Sequence, residues 1–252
     1  MVNLCEVISF LDVELKTSSI ADYPGAMNGL QLANDGKIGR VFAAVDASLT
    51  VIKAAVAFGG PALLIVHHGM FWQGVQPLTG PFYHKVKIAM ELGLAIYSSH
   101  LPLDIHPEFG NNILLARAIG LKDTQPFFEE KGNLIGIRGH WNGTRHHLEK
   151  TLKEVLGGAV HPCPGGTEVI SKVGIITGGA GGEVVKVAAS GVDCFITGEG
   201  PHWSYPLAEE LGLNVFYGGH YATETFGVKE LAKLIASRFE IGWDFLDQPT
   251  GL

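Results

Sequence analysis

The sequence predicts an α/β fold made of two pseudo-equivalent lobes that arose by internal duplication. Short apolar runs alternate with helical patterns along the chain, and this alternation favours largely parallel sheets. The chain also repeats one motif. LGLAIYSSHLPLD ends in His100 and Asp104, and LGLNVFYGGHYATE ends in His220 and Glu224, so both pairs lie 120 residues apart (220 − 100 and 224 − 104). Two long copies fit facing lobes, whereas a solenoid is built from more and shorter ones.

The predicted elements follow one another in this alternation. The spacing of Leu4, Val7, Ile8 and Leu11 predicts a first helix over residues 3–15. Apolar runs predict strands at 40–46, 62–67, 94–99, 133–139, 172–177, 192–197 and 213–217. The stretches between them predict helices at 48–58, 84–92, 110–119, 144–156, 181–190, 203–211 and 224–238. Helical crossovers of this kind join parallel strands.

The repeat also predicts the domain organisation. Residues 1–124 form the first lobe and residues 169–252 the second. Residues 125–168 break the repeat with a strand, a helix and the turn-rich HPCPGGTE, so they are expected to link the lobes. GGAGG at 178–182 lacks the lysine and hydroxyl residue of a P-loop and the spacing of a dinucleotide fingerprint, which favours a tight turn.

The composition excludes several classes of function. At 252 residues and 46% hydrophobic, the chain can bury a large core. A formal charge of −7 argues against a nucleic-acid partner. No apolar run is long enough to predict a membrane span, and the N-terminal residues carry acidic groups unlike those of a signal peptide. The three cysteines form no closely spaced pair, so a cytoplasmic location is expected.

Histidines and carboxylates lie where the predicted strands end. His67 and His68 close the run ALLIV, and the two repeated pairs follow later strands. Ligands of open α/β sheets bind beyond the carboxyl ends of the strands. A lone histidine there is more commonly a hydrogen-bonded polar residue of the core than a metal ligand. A histidine and an acid four residues apart can be explained by a hydrogen bond between the two side chains alone. Their joint occurrence favours a metal site between the lobes, with zinc, iron, manganese or nickel as the ion.

Seven short motifs give the chain a family resemblance. They are NGLQ at 28–31, AVDAS at 44–48, VHHGMFW at 66–72, SSHLPLD at 98–104, NN at 111–112, TGE at 197–199 and GGHYATE at 218–224. The chain resembles the GTP cyclohydrolase I type 2 homologues, the NGG-interacting-factor-three-like proteins. The resemblance implies a duplicated α/β fold with a dinuclear metal centre, assembled as a homohexamer from three dimers.

The resemblance also implies a ligand set and a chemistry. The implied ligands of the two divalent ions are His67, His68, Asp104, His220 and Glu224, with His100 beside the site as the candidate catalytic residue. Such a centre favours hydrolysis of a nucleotide-like or cyclic-amide small molecule. The alternative is a non-catalytic metal-binding protein that serves metal handling or partner binding. Zinc or iron is expected first.

Two further expectations concern residues near the site. Glu199 and His202 follow a strand equivalent to ALLIV, so they either reach the same cleft or cap the next helix. Met70, Phe71 and Trp72 are expected in an exposed loop, where large apolar groups favour an assembly contact. The alternative is that Phe71 and Trp72 pack under that loop.

Overall fold

The computed structural model describes all 252 residues, and the chain folds into two compact units. The first unit contains residues 1–103 and 227–248, and the second contains residues 104–226 and 249–252. Each unit has one mixed sheet packed against helices. None of the helices combines the length and the hydrophobicity that crossing a bilayer requires.

The first stretch of the chain alternates strands and helices. Its elements are β1 (Val2–Asn3), α1 (Leu4–Glu14), β2 (Gly29–Leu32), β3 (Lys37–Ile38), β4 (Arg40–Asp46), α2 (Leu49–Ala57), β5 (Ala62–His68), α3 (Gly80–Glu91), β6 (Leu94–Ser98) and α4 (Leu101–Asp104). Ser48 caps α2, since its hydroxyl accepts the Val51 N–H at 3.1 Å.

The remaining stretch continues the alternation. Its elements are α5 (Asn111–Ala118), β7 (Lys122–Glu130), β8 (Asn133–Thr144), α6 (Arg145–Leu156), β9 (His161–Pro164), β10 (Val169–Ile175), a 3-10 turn (Ala180–Glu183), α7 (Val184–Ala189), β11 (Cys194–Thr197), α8 (Ser204–Glu210), β12 (Asn214–Tyr217), α9 (His220–Thr223), α10 (Thr225–Phe239) and β13 (Gly242–Phe245).

The sheet of the first unit has five strands in the order β13-β4-β5-β6-β2. All neighbours are parallel except β2, which runs antiparallel to β6. β5 is buried up to His67, which explains the continuous apolar run ALLIV, since helices cover parallel sheets on both faces. The register pairs Asp46 with His68 and Val66 with Ser98, so β4, β5 and β6 end at one edge.

The sheet of the second unit has six strands in the order β7-β8-β10-β11-β12-β9. β10, β11 and β12 are parallel, and the others pair antiparallel. Both sheets therefore share a run of three parallel strands, β4-β5-β6 and β10-β11-β12, with an antiparallel strand beside the third, and the first sheet adds β13 as a fourth parallel strand. The predicted α/β class is confirmed. The shared strand order is what an internal duplication predicts, and the duplication itself stays a prediction.

The compact units are not divided where the sequence repeat is. The predicted linking segment, 125–168, contributes strands to the second sheet because β8 pairs with β10 from Val169↔Thr144 to Ile175↔Ile137. At the C-terminus, residues 227–248 join the first unit, where β13 pairs with β4. The boundaries 1–124, 125–168 and 169–252 describe the repeat, and for the repeat they stay a prediction.

Candidate metal centre

Three histidines converge at the strand ends of the first unit. His67 and His68 are the last residues of β5, and His100 comes two residues after β6. One ligand atom from each imidazole lies within 4.8 Å of the others, so this group could hold a metal ion. The ring centroids of His67 and His100 are 4.8 Å apart, and His67 is fully buried. Here adjacent histidines share one cluster although both belong to β5, where His68 still pairs with Asp46 of β4.

Each of these imidazoles is held through Nδ1 by an acceptor. His67 Nδ1 donates to the Ser99 carbonyl at 3.0 Å, His68 Nδ1 to Asp46 Oδ1 at 2.9 Å, and His100 Nδ1 to Asp22 Oδ1 at 2.9 Å. A carbonyl or an ionised carboxylate only accepts, so the ring proton stays on Nδ1 and the Nε2 lone pair faces the cluster. Metal-binding histidines are oriented in this way, and the donor set therefore fits a metal.

The segment 22–31 holds His100 at both ring and backbone. Asn28 Oδ1 accepts the backbone N–H of His100 at 2.7 Å, and Asn28 Nδ2 donates to Asp22 Oδ2 at 2.7 Å. Burial raises the pKa of Asp22, but the hydrogen bond and charge of His100, with hydrogen bonds from Asn28 and Tyr23, outweigh it. The pKa of Asp22 is thus lowered, and the side chain is a carboxylate at neutral pH.

The same segment also fixes the loop after β5. Gln31 Oε1 accepts the Met70 N–H at 2.7 Å, and its amide donates to the carbonyls of Ala26 and Met27 at 3.1 and 3.0 Å. Gly25 packs so closely on this loop that a Cβ there would lie 2.5 Å from the Trp72 carbonyl oxygen. These contacts hold the loop after β5 against the segment 22–31.

The loop after β5 differs from the sequence prediction at one residue. Met70 is buried in the core beside β4 and β5, so the expectation of an exposed Met70 is wrong. The cause is its backbone bond to Gln31, which turns the loop inward. Phe71 packs edge-on against Phe82, with ring centroids 6.1 Å apart. Trp72 remains 42% exposed, and its ring lies 4.7 Å from that of His100.

The second unit carries its own histidine and carboxylate cluster. His220 begins α9, and Glu224 follows it one turn later. His220 Nε2 lies 3.2 Å from Glu224 Oε2, and its Nδ1 donates to Glu199 Oε1 at 2.9 Å. Burial lowers the pKa of His220, but the hydrogen bonds and charges of Glu224 and then Glu199 raise it to about 9. Any ion that binds Nε2 must displace a proton that this pair of carboxylates holds.

Glycines let the backbone close around His220. A Cβ on Gly198 would lie 2.6 Å from the His220 Cα and 2.6 Å from the Gly178 carbonyl oxygen. Gly178 has a φ of 70° in the left-handed region, and a Cβ there would overlap Glu224 Oε1. The Thr223 hydroxyl accepts the Gly178 N–H at 3.1 Å, which ties the end of β10 to α9. GGAGG thus begins as a bend at Gly178 and Gly179 and continues into the 3-10 turn from Ala180.

Asp104 is buried in the second unit and is held by two asparagines. Asn111 Nδ2 donates to Asp104 Oδ1 at 2.8 Å. Asn112 Nδ2 donates to the Asp104 carbonyl at 3.3 Å, while Asn112 Oδ1 accepts the Thr177 N–H at 2.9 Å. The pair thus fixes both the carboxylate and the backbone of Asp104 beside the end of β10.

The structure brings the predicted residues together in two groups. His67, His68 and His100 form one, and His220 and Glu224 form the other. Glu199 holds Nδ1 of His220, which agrees with the alternative of a role in the cleft. His202 is exposed, and its carbonyl accepts the Tyr205 N–H at 3.3 Å, but the N-cap residue of α8 is Trp203 and no side chain caps this helix.

Sequence reasoning missed the residues that orient the histidines. Asp46 and Asn28 lie within the motifs AVDAS and NGLQ, which singled out these segments without assigning them a contact. Asn111 and Asn112 form the motif NN, again without a role. Asp22 carried no sequence signal, because it lies in a loop 78 residues from His100.

Comparisons with known proteins give one consistent result. The family model Duf34/NIF3 (NGG1p interacting factor 3) matches residues 2–249. A "GTP cyclohydrolase 1 type 2 homolog" of Deinococcus radiodurans is 41% identical over 237 residues, covering 92% of this chain and 89% of that protein. One of Pyrococcus abyssi is 40% identical and covers 98% of each chain. The crystal structure of TTHA1606 from Thermus thermophilus is similar with a TM-score of 0.91 and 36% identity over 100% of both chains.

Proposed function

The chain belongs to the Duf34/NIF3 family, and we propose that it is a metal-dependent hydrolase of a nucleotide-like or cyclic-amide small molecule. The observation that carries the proposal is the common orientation of the site histidines. Each of the four has Nδ1 on a carbonyl or carboxylate oxygen. Histidines that serve only in packing do not need one shared tautomer, whereas metal and proton chemistry through Nε2 does.

The residues proposed to hold two divalent ions are His67, His68, Asp104, His220 and Glu224. Imidazole nitrogen and carboxylate oxygen suit zinc or iron first, and manganese or nickel next. Glu224 and Asp104 are the candidates for a carboxylate shared by both ions. Both are buried, with relative exposures of 2% and 8%.

The proposed chemistry is attack by water on an amide, amidine or phosphoryl group. When bound, divalent ions supply the Lewis acidity that activates the water and polarises the bond to be broken. His100 is proposed to take a proton at Nε2 and to return it to the leaving group. The name of the relatives, GTP cyclohydrolase 1 type 2 homolog, suggests a purine nucleotide as the first substrate to try.

Metal content and turnover of three variants test this assignment. His100→Ala should keep its metal and lose hydrolysis, because it removes a proton carrier and no ligand. His67→Ala and His220→Ala should each lose metal, measured by elemental analysis of freshly purified protein. A screen of nucleotides and cyclic amides with the native metal supplies the activity.

If His100→Ala loses as much metal as His220→Ala, His100 is a ligand and the assignment is wrong. Full metal occupancy without turnover of any substrate would favour the non-catalytic alternative.

We also propose that the chain works as a cytoplasmic homohexamer, a trimer of dimers. The three cysteines form no disulfide, which suits a reducing compartment. Trp72 is an exposed aromatic residue beside the site and is the proposed contact between copies. Light scattering coupled to gel filtration should give six times the chain mass of 26.9 kDa, and Trp72→Glu should lower it. A mass of one chain would contradict the ring.

A further inference from the structure

We propose that Asp22 is a positioning residue that fixes the tautomer and the direction of the His100 imidazole. The inference rests on the proposed function, since it concerns how His100 handles protons. Asp22 Oδ1 accepts His100 Nδ1 at 2.9 Å, and its side chain is only 6% exposed. The pair therefore makes its contact away from bulk water, where a charge-assisted hydrogen bond is strong.

Both oxygens of the Asp22 carboxylate are held by other donors. Oδ1 also accepts the backbone N–H of Tyr23 at 2.6 Å. Oδ2 accepts Asn28 Nδ2 at 2.7 Å and the backbone N–H of Leu101 at 2.9 Å. With four donors in place, the carboxylate cannot rotate without breaking several hydrogen bonds. Its direction towards His100 is thus set by the fold.

Asn28 extends this hold to the backbone of His100. Its Oδ1 accepts the His100 N–H at 2.7 Å, while its amide donates to Asp22. The short segment 22–28 therefore fixes the ring of His100, the backbone N–H of His100 and the backbone N–H of Leu101. No sequence pattern ties this segment to His100, which lies 78 residues beyond Asp22.

The other carboxylates that accept from Nδ1 of a site histidine are far more exposed, whereas the buried Glu224 lies beside Nε2 of His220 and is itself a proposed ligand. Asp46, which holds His68, is 38% exposed, and Glu199, which holds His220, is 45% exposed. An ion orients a ligating imidazole by its own bond, so a partner open to water is sufficient there. A proton carrier has no such bond and must be aligned by the protein alone. Among the carboxylates that accept from Nδ1 of a site histidine, the buried one therefore holds His100, the histidine that is proposed to move protons.

The proton balance follows from this arrangement. The proton on Nδ1 stays there throughout, because it is shared with an ionised carboxylate. The Nε2 lone pair takes the proton of the attacking water, so that an O–H bond breaks and an N–H bond forms. The imidazolium is stabilised by Asp22, which itself stays unprotonated. Nε2 then gives the proton to the leaving group, and the neutral ring is restored.

Asp22→Asn is the direct test, because the amide keeps the shape and removes the charge. Its Nδ2 can donate to His100, which favours the wrong tautomer. We expect kcat to fall about 100- to 10,000-fold, by analogy with the same change in the serine protease triad. KM and metal content should stay within about threefold, since no ligand is lost. The control is Asp35→Asn, the same charge change at an exposed residue, which should leave kcat unchanged.

Nitrogen-15 NMR of histidine-labelled protein supplies a readout that needs no substrate. Solid-state spectra of the sedimented full-length protein suit a large assembly, and His100→Gln assigns the signal. In the wild type, His100 should carry its proton on Nδ1. In Asp22→Asn the proton should move to Nε2 in a substantial fraction of molecules. Asn28→Ala, which keeps the carboxylate and loses the anchor, should reduce kcat about tenfold with less change of tautomer.

The outcomes separate this inference from the proposed function. If Asp22→Asn keeps the Nδ1 tautomer and kcat within about threefold of wild type, the positioning role is overturned. Loss of metal from Asp22→Asn comparable to that of His67→Ala would also overturn it, since His100 would then act as a ligand. If no substrate is ever turned over, the proposed hydrolase fails, yet the tautomer measurement still decides whether Asp22 sets the ring.

Discussion

His100 and His220 occupy equivalent positions of the sequence repeat, but the two units hold them by different means. His100 is fixed by polar side chains from a distant loop, chiefly Asp22 and Asn28. His220 has the half-exposed Glu199 at Nδ1 and Glu224 at Nε2, and its backbone packs closely against Gly178 and Gly198. One motif can therefore be positioned either by buried hydrogen bonds or by the absence of side chains.

The difference predicts where each unit is vulnerable. Losing a buried hydrogen bond or charge leaves a polar group without compensation, and its effect concentrates on one imidazole. Adding a side chain where backbones touch moves the chain itself, and the effect spreads through the unit. Substitutions around His100 should thus affect the chemistry more than the stability, and substitutions around His220 should affect the stability more than the chemistry.

The largest expected effect comes from Gly198→Ala. Its Cβ would press on the His220 Cα and the Gly178 carbonyl, each at 2.6 Å, and backbone cannot move aside as a side chain can. We expect a loss of about 3 kcal/mol in the free energy of unfolding, measured by denaturant titration. Gly158→Ala is the control, because a Cβ there meets nothing within 4 Å and its φ is not in the left-handed region. Equal stability of the two variants would contradict the role of close backbone packing around His220.

Gly178→Ala should affect metal binding more than stability. Its φ of 70° costs an alanine about 1 kcal/mol, and its Cβ would displace the Glu224 carboxylate. Gly191→Ala has the same backbone strain at a φ of 79° with open space around it, so its unfolding free energy should fall by that strain alone. Only Gly178→Ala should lose metal affinity, by about 10- to 100-fold in a chelator competition. Matching affinities in the two variants would remove Glu224 from the ligand set.

The smallest expected effect compares the two exposed carboxylate partners. Asp46→Asn and Glu199→Gln each weaken the hold on one proposed ligand, His68 or His220. Water can replace part of either interaction, so each should lower metal affinity by about tenfold, the low end for partners of ligating histidines. Calorimetric titration with the native metal measures both. A much larger loss for one variant would show that exposure does not set the importance of these partners.

The sequence by itself determined where most of the strands and helices lie and which side chains stand at the ends of the strands. Apolar runs and helical spacing are local signals, so β4, β5, β6, β10, β11 and β12 and the helices after them were predictable. The pair His220 and Glu224 was predictable as well, because four-residue spacing places two side chains on one helix face, and they lie 3.2 Å apart. The motif positions likewise pointed to the groups that now cluster in each unit.

Only the tertiary structure decided which groups orient the side chains at the strand ends. The edge strands β2, β9 and β13 escaped prediction because they are stabilised by pairing with strands far along the chain rather than by a local pattern. The edge strand β7 was missed as well, although it forms a hairpin with the adjacent β8. The burial of Met70 depends on Gln31, 39 residues earlier, and the direction of His100 depends on Asp22. Hydrogen bonds between distant residues leave no periodic trace in a single sequence, since either partner alone is an ordinary loop residue.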